Sequence, residues 1–543
     1  MQLLLFILLL FFIIVLWIVL TSKQSSTFQD ISFADIVIIG AGTAGCILAN
    51  RLHSKHPTKK ILILERGQDR HDDPIVYNIK NGAIAAFQEP YSEVLPSDFP
   101  EVGISLAKLY GGASSHNYAL VVHGSPEFYN GLVGLSYDQY VEYFKRIEAY
   151  QGKSQEPITR GHNGKLQVSQ LPIKINFGSK ILPLLTQSPN TIYKTINTGL
   201  HTGPLRASPS FSDALSEIIA RTKSVPIVED YNTSIISCVS STPQLFVNSL
   251  TGLRSSTDVT YLPPNDATLL TINGATVNRI NDKQVEWTDQ QGKFQITSTD
   301  KIILCAGAIY TPRILQKSGF SNVGNNLITH YGTTMIFAVI PNEDENFEFS
   351  SGPLAFVPRY SRNTRDWQII TGGQTLLNKD LLRKVQVDPD DPKVKYISFL
   401  LWNLKPRTRG SVGESIKLRL FEDGGLDDPN SDLSSIVDGA RWMYQIVQEL
   451  NKIYPSVKLV YPPPHILESN NNQILSEYVI TGVTVTDHYS ATCALGSIVD
   501  PINFLLKGTH NIHVVDASVL PKISDGNTEF PVVVMAELAS DRI

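Results

Sequence analysis

The stretch Asp35-Ile-Val-Ile-Ile-Gly40-Ala-Gly42-Thr-Ala-Gly45 decides how this chain folds. An apolar run ends in G-x-G-x-x-G, and helical spacing follows through Leu48, Ala49 and Leu52. A continuous apolar run suits a strand covered on both faces of a parallel sheet. Gly40 permits the tight turn, Gly42 lets backbone approach a pyrophosphate, and Gly45 lets the helix pack closely on the strand. Thr43 and Ala44 complete the loop at the helix N-terminus, whose free N–H groups and positive end favour phosphates. A second run, Lys60-Ile-Leu-Ile-Leu-Glu65, ends on an acid twenty positions past Gly45, where a carboxylate would accept ribose hydroxyls. Strand, loop, helix, strand and acid in register predict a dinucleotide site at Gly40, Gly42, Thr43, Ala44, Gly45 and Glu65. The fingerprint by itself does not separate FAD from NAD.

Farther along, Lys301-Ile-Ile-Leu-Cys-Ala-Gly307 and Asn511-Ile-His-Val-Val-Asp516 read as further buried strands, so one sheet is expected from distant pieces of chain. The clearest amphipathic helix lies between Asp432 and Asn451, and Tyr461-Pro-Pro-Pro464 cannot continue a helix. The 543 residues carry a net charge of −5 with no block of like charges, which argues against nucleic-acid binding. Four cysteines, Cys46, Cys238, Cys305 and Cys493, show no metal-ligand spacing and no disulfide framework, and no metal site is expected. Every residue from Leu3 to Leu20 is apolar. As a helix that run would extend roughly 27 Å, close to a bilayer's hydrocarbon thickness. A retained single-pass anchor in membrane lipid (1–22) followed by a linker (23–33) is the reading taken, with a cleaved signal peptide and secretion as the alternative. The side of the membrane is left undetermined by the flanking charges. Asn232-Thr-Ser234 is a glycosylation sequon, compatible with a secretory route.

Further motifs point to a family. Leu109-Tyr-Gly-Gly-Ala-Ser-Ser-His-Asn117, Gly252-Leu-Arg-Ser-Ser-Thr257, Cys305-Ala-Gly-Ala-Ile-Tyr-Thr-Pro312, Gly324-Asn-Asn-Leu327 before His330, Pro406-Arg-Thr-Arg-Gly410, His488-Tyr-Ser-Ala-Thr-Cys493, Val515-Asp-Ala-Ser-Val519 and Gly526-Asn527 stand in one order. Together they resemble the glucose–methanol–choline (GMC) oxidoreductases from about Asp35 to the C-terminus. In the flavin-contact segment the likeness is to choline oxidase-like members.

The resemblance implies an α/β fold: a discontinuous FAD-binding Rossmann-like domain (34–155, 226–330 and 480–543) with an inserted α+β substrate domain (156–225 and 331–479) built on an antiparallel sheet. It implies FAD as cofactor, with Gly112, Ser115, His116, Asn117, Val277, Asp516, Ala517, Asn527 and Thr528 added to its contacts. In the choline oxidase version the residue matching His116 is linked covalently to the flavin, and a noncovalent contact is the equal alternative. The implied reaction is oxidation of a small-molecule alcohol by hydride transfer to flavin N5, with O₂ or another electron acceptor. His488 is then the general base and Asn527 positions the substrate oxygen. A catalytically inactive scaffold of the same fold, or a non-redox lyase with structural FAD, are the alternatives. There are departures: His123 stands for the family's Arg before Gly-Ser, Ala491 for the Gly before Thr-Cys, and the usual Trp near Asn130–Gly134 is missing.

Overall fold

A computed structural model describes residues 31–79, 84–99, 102–170, 211–241, 243–339, 351–360, 363–372 and 382–543 apart from 384, 389 and 392. The run Phe33–Ile39 forms the expected strand and lies between Ile61–Leu64 and Phe294–Leu304, parallel to both. Leu269–Ile272 extends this sheet beyond Ile61–Leu64, and Ile512–Val514 pairs with the end of Phe294–Leu304, Ile302 facing Ile512. All four residues of Ile61–Leu64 are buried, which is why both strand and sequence lack a polar face. A meander, Thr276–Asn281 and Gln284–Thr288, completes the far edge. Helix Thr43–Lys55 packs on the C-terminal helix Glu529–Arg542, and Arg51 pairs with Glu537 at 2.8 Å.

The second sheet is antiparallel in its main part. Its order is Val457–Tyr461, Tyr331–Val339, Lys395–Asn403, Trp367–Gly372, Ser351–Val357 and Cys238–Ser240, with Ile227–Val228 on the edge. Helix Asp432–Ile453 covers it, burying Leu433, Ile436, Val437, Ala440, Met443, Val447 and Leu450. Ser431 caps this helix by accepting from Ser434 N, and Tyr454-Pro455 ends it.

Three boundaries differ from the sequence reading. Residues 227–240 and the strand Val483–Val485 join the second sheet, although 226–330 and 480–543 were assigned to the cofactor domain. Leu166–Gln170 instead pairs with Glu148–Tyr150 and Gln244–Phe246 beside the first sheet's core. Short strands at a domain junction carry too few residues to declare their sheet. The sequon is structural as well. Asn232 is 1% exposed, and its Nδ2 donates to Val121 O (3.0 Å) and Gln244 Oε1 (2.9 Å), so the folded chain offers no amide to a glycan.

All four cysteines are free and buried. Among the described residues no helix is long and apolar enough to cross a membrane, and Leu3–Leu20 lies outside them.

Candidate active site

The glycine loop sits at the C-terminal end of the central strand, where open α/β sheets bind ligands. It opens on a cavity of about 1570 Å³ that continues to the second sheet. Every predicted site residue lines this cavity except Gly45 and Ser115. Gly45 acts through packing, since a Cβ there would lie 1.9 Å from Gly40 O. Ser115 is fully buried and donates to Asp258 Oδ1 at 2.9 Å; the short helix Ala113–His116 turns it away from the cavity. Its assignment as a cofactor contact is therefore corrected.

Glu65 accepts Ala41 N at 2.8 Å and Gly67 N at 2.6 Å, one on each oxygen, and keeps lone pairs for a ligand on the cavity side. Burial raises its pKa against those two hydrogen bonds. Asp516 is a clamp: it accepts Gly307 N (2.9 Å), Thr311 Oγ1 (2.6 Å) and Ser518 N (2.8 Å), fixing the start of helix Gly307–Lys317. Asn117 bridges two buried charges, its Oδ1 accepting from Arg254 Nη1 at 2.9 Å and its Nδ2 donating to Glu529. Burial pushes the Glu529 carboxyl up to about 7.

At the far end, backbone pairing brings two histidines together. Thr486 N donates to His330 O (3.2 Å), and Ile328 and Ser490 exchange a pair of backbone bonds (3.2 and 2.9 Å). His330 begins the strand Tyr331–Val339, and His488 follows the strand Val483–Val485 beside it. Their Nδ1 atoms lie 2.9 Å apart. On its other side, His488 Nε2 faces Asn527 Nδ2 at 3.4 Å, and Gln368 Nε2 donates to Asn527 Oδ1 at 3.1 Å. Trp402 stands edge-on to the His488 ring at 5.7 Å. Burial, and then His330, hold the His488 pKa well below its ordinary value, so the ring is neutral at pH 7.

Two family models, both described as GMC oxidoreductase, match residues 219–332 and 416–536. The chain carries the N- and C-terminal domains of the GMC oxidoreductase models. It is 24% identical to an alcohol dehydrogenase (acceptor) of Pseudomonas putida, over 94% of this chain and 95% of that one. It is 24% identical to an oxygen-dependent choline dehydrogenase of Staphylococcus xylosus, over 94% of both chains. Among solved structures, formate oxidase of Aspergillus oryzae superposes with a TM-score of 0.74 at 18% identity, covering 95% of this chain and 98% of that one.

FAD, the GMC cofactor, fits the residues present. A Cβ at Gly42 would meet nothing nearer than 3.8 Å, so packing does not demand glycine there; the room belongs to the cavity over the helix N-terminus. That N-terminus has no side-chain cap, leaving its N–H groups for phosphate oxygens. Gly112, at φ +56°, approaches from the other side, where a Cβ would stand 2.8 Å from Gly42 Cα. His116 is 7% exposed, and neither ring nitrogen has a partner. A covalent bond of the kind the resemblance admits would have to use one of these two atoms. Burial and then Arg254 push His116 down to about 4.

Sequence reasoning missed His330, Gln368, Arg254 and Glu529. The motif before His330 carried a signal, since it placed that residue directly after a family signature. Gln368 had none: it is a polar residue inside a mostly apolar strand.

Proposed function

We propose that this GMC oxidoreductase oxidises an alcohol with FAD, His488 taking the hydroxyl proton and Asn527 orienting the oxygen. The observation that carries the reading is the His488–Asn527 pair on the wall of the cavity that the dinucleotide loop also lines. FAD, when bound, supplies a two-electron acceptor for the hydride that leaves the carbinol carbon. The chain's own work is on the proton. A neutral His488 offers a lone pair at Nε2, and its depth in the protein keeps it neutral. Asn527 brings a donor without a charge, so it can hold the substrate oxygen while that oxygen loses its proton. Gln368 keeps the Asn527 amide from turning over. Above the pair, Trp402, Leu400 and Ile370 supply apolar walls that exclude water and seat the alcohol's carbon body. The electron acceptor that follows is O₂ or another oxidant.

The test is to purify the yellow protein, remove oxygen and add a panel of primary alcohols. Bleaching of the flavin by at least one is expected. A flavin that no alcohol bleaches would remove the redox reading and leave the scaffold or lyase in its place. The apolar run Leu3–Leu20 is proposed to hold the enzyme on a membrane. Full-length protein is expected to stay with membranes through a carbonate wash, and its recovery in the soluble fraction would sink that proposal.

A further inference from the structure

We propose that His330 is a positioning residue of this site: it accepts the Nδ1–H of His488, fixes the tautomer that leaves Nε2 open to the substrate hydroxyl, and steadies the imidazolium formed when that hydroxyl loses its proton. The inference rests on the reading of His488 as the base.

Two imidazole nitrogens 2.9 Å apart need one proton between them, because two lone pairs repel and two N–H groups collide. Which ring owns it is decided at the other end of the network. Gln368 donates to Asn527 Oδ1, and this turns Asn527 Nδ2 toward His488 Nε2. An amide N–H facing Nε2 suits that nitrogen only as an acceptor. The proton of neutral His488 is therefore on Nδ1 and is donated to His330. His330 then carries its own proton on Nε2, a buried atom with no hydrogen-bond partner among the described residues.

The alcohol O–H proton moves to His488 Nε2, the Nδ1–H stays where it was, and the ring becomes a cation. The hydride leaves the carbinol carbon for FAD, which accounts for both electrons and leaves a carbonyl product. The Nδ1–H bond to His330 strengthens as the charge appears, and the low dielectric around a buried ring such as His330 magnifies that gain. This is the task of the aspartate behind the histidine of a serine protease triad, performed here by a neutral ring. Neutrality is required, since a protonated His330 would have no lone pair to offer. Burial supplies it by pushing His330 down to about 4. The other titratable groups around the pair are already engaged. Asp525, which acts on His330, accepts from Ser125 N at 2.8 Å and from Ser125 Oγ. Asp487 accepts from Tyr489 Oη at 2.8 Å and Ser105 N at 3.2 Å.

Anaerobic single-turnover reduction of the flavin, followed against pH for the parent, His330→Ala, His330→Asn and His488→Ala, tests the proposal. His330→Ala is expected to slow reduction about 100-fold with little change in apparent substrate affinity. His330→Asn returns a carbonyl oxygen near the Nδ1 position and should recover to within about 10-fold of the parent. Solid-state ¹⁵N spectra of histidine-labelled holoenzyme should show a Nδ1–H signal that His488→Ala removes. Reduction by His330→Ala at the parent rate, a loss in His330→Asn as deep as in the Ala variant, or a Nε2–H signal for His488 would each overturn the inference. Should His488→Ala itself reduce at the parent rate, the base assignment fails instead, and the ¹⁵N signal still reads the tautomer.

Discussion

Glu529 shows how far a single residue's environment can move its chemistry. It opens the C-terminal helix, lines the cofactor cavity, and receives one hydrogen bond from Asn117 while its Oε1 stays without a partner. Burial raises its pKa to about 7 against the opposing pull of Asn117 and Arg254. The folded value lies above the ordinary 4.5, so the folded state binds the proton more tightly. That contribution is complete below pH 4.5 and is lost as pH rises through 7. Glu529→Gln keeps a neutral group at every pH. Its unfolding midpoint in denaturant is therefore expected to gain on the parent's as pH rises from about 5 to about 8; a pH-independent difference would place the proton elsewhere. The departures from the family pattern also resolve at this scale. His123 is 1% exposed, 3.1 Å from Glu148 Oε2, and stacked on Phe530 at 3.9 Å, away from the cavity. Ala491 sits at φ +71°, a conformation glycine adopts freely and another residue reaches at about 1–2 kcal/mol. Neither departure alters the residues facing the cofactor cavity.

Among the elements, the glycine loop and its helix test the reading most cleanly, because two glycines of one motif are there for different reasons. Gly45→Ala would drive a Cβ to 1.9 Å from the Gly40 carbonyl oxygen, which is backbone and cannot swing aside. A loss of roughly 3 kcal/mol or more is expected, seen as a much lower unfolding midpoint or no soluble protein. Gly42→Ala meets only ordinary contacts, so it should fold with near-parental stability in the absence of cofactor and yet lose bound FAD. Equal behaviour of the two variants would refute the division of labour. These elements were legible in the sequence because their signals are local. An apolar run of four residues, a spaced trio of glycines and a helical stripe from Leu433 to Leu450 each declare themselves within one window. Short strands are another matter. Ile227–Val228, Cys238–Ser240 and Val483–Val485 have two or three residues each; the first follows Cys238–Ser240 into its sheet, and the other two are placed by partners more than a hundred residues away along the chain. Ser115 was misread for a related reason: one short turn of helix sends it to Asp258 while its neighbour His116 reaches the cavity.

The whole molecule is an instrument for bringing distant segments to one cavity. His330 and His488 are 158 positions apart, and Asn527 and Gln368 are 159 apart, so no local pattern could have placed them in one network. The motif order identified His488 and Asn527, whereas their partners emerged only from sheet pairing. Behind the cavity a fully buried Arg160 binds Glu148 (2.8 Å) and Asp230 (3.0 Å), tying the small sheet to the loop that enters the second sheet. Removing one member of such a buried group would leave charges without compensation and destabilise this joint. On the proposed function, this assembled cavity oxidises an alcohol through His488. The measurement that tests it most directly is the anaerobic rate at which a bleaching alcohol reduces the flavin in the parent and in His488→Ala, both loaded with FAD. A loss of about 10²–10⁴-fold is expected in the variant at neutral pH, with FAD content and folding preserved. Reduction of the variant's flavin at the parent rate would contradict it.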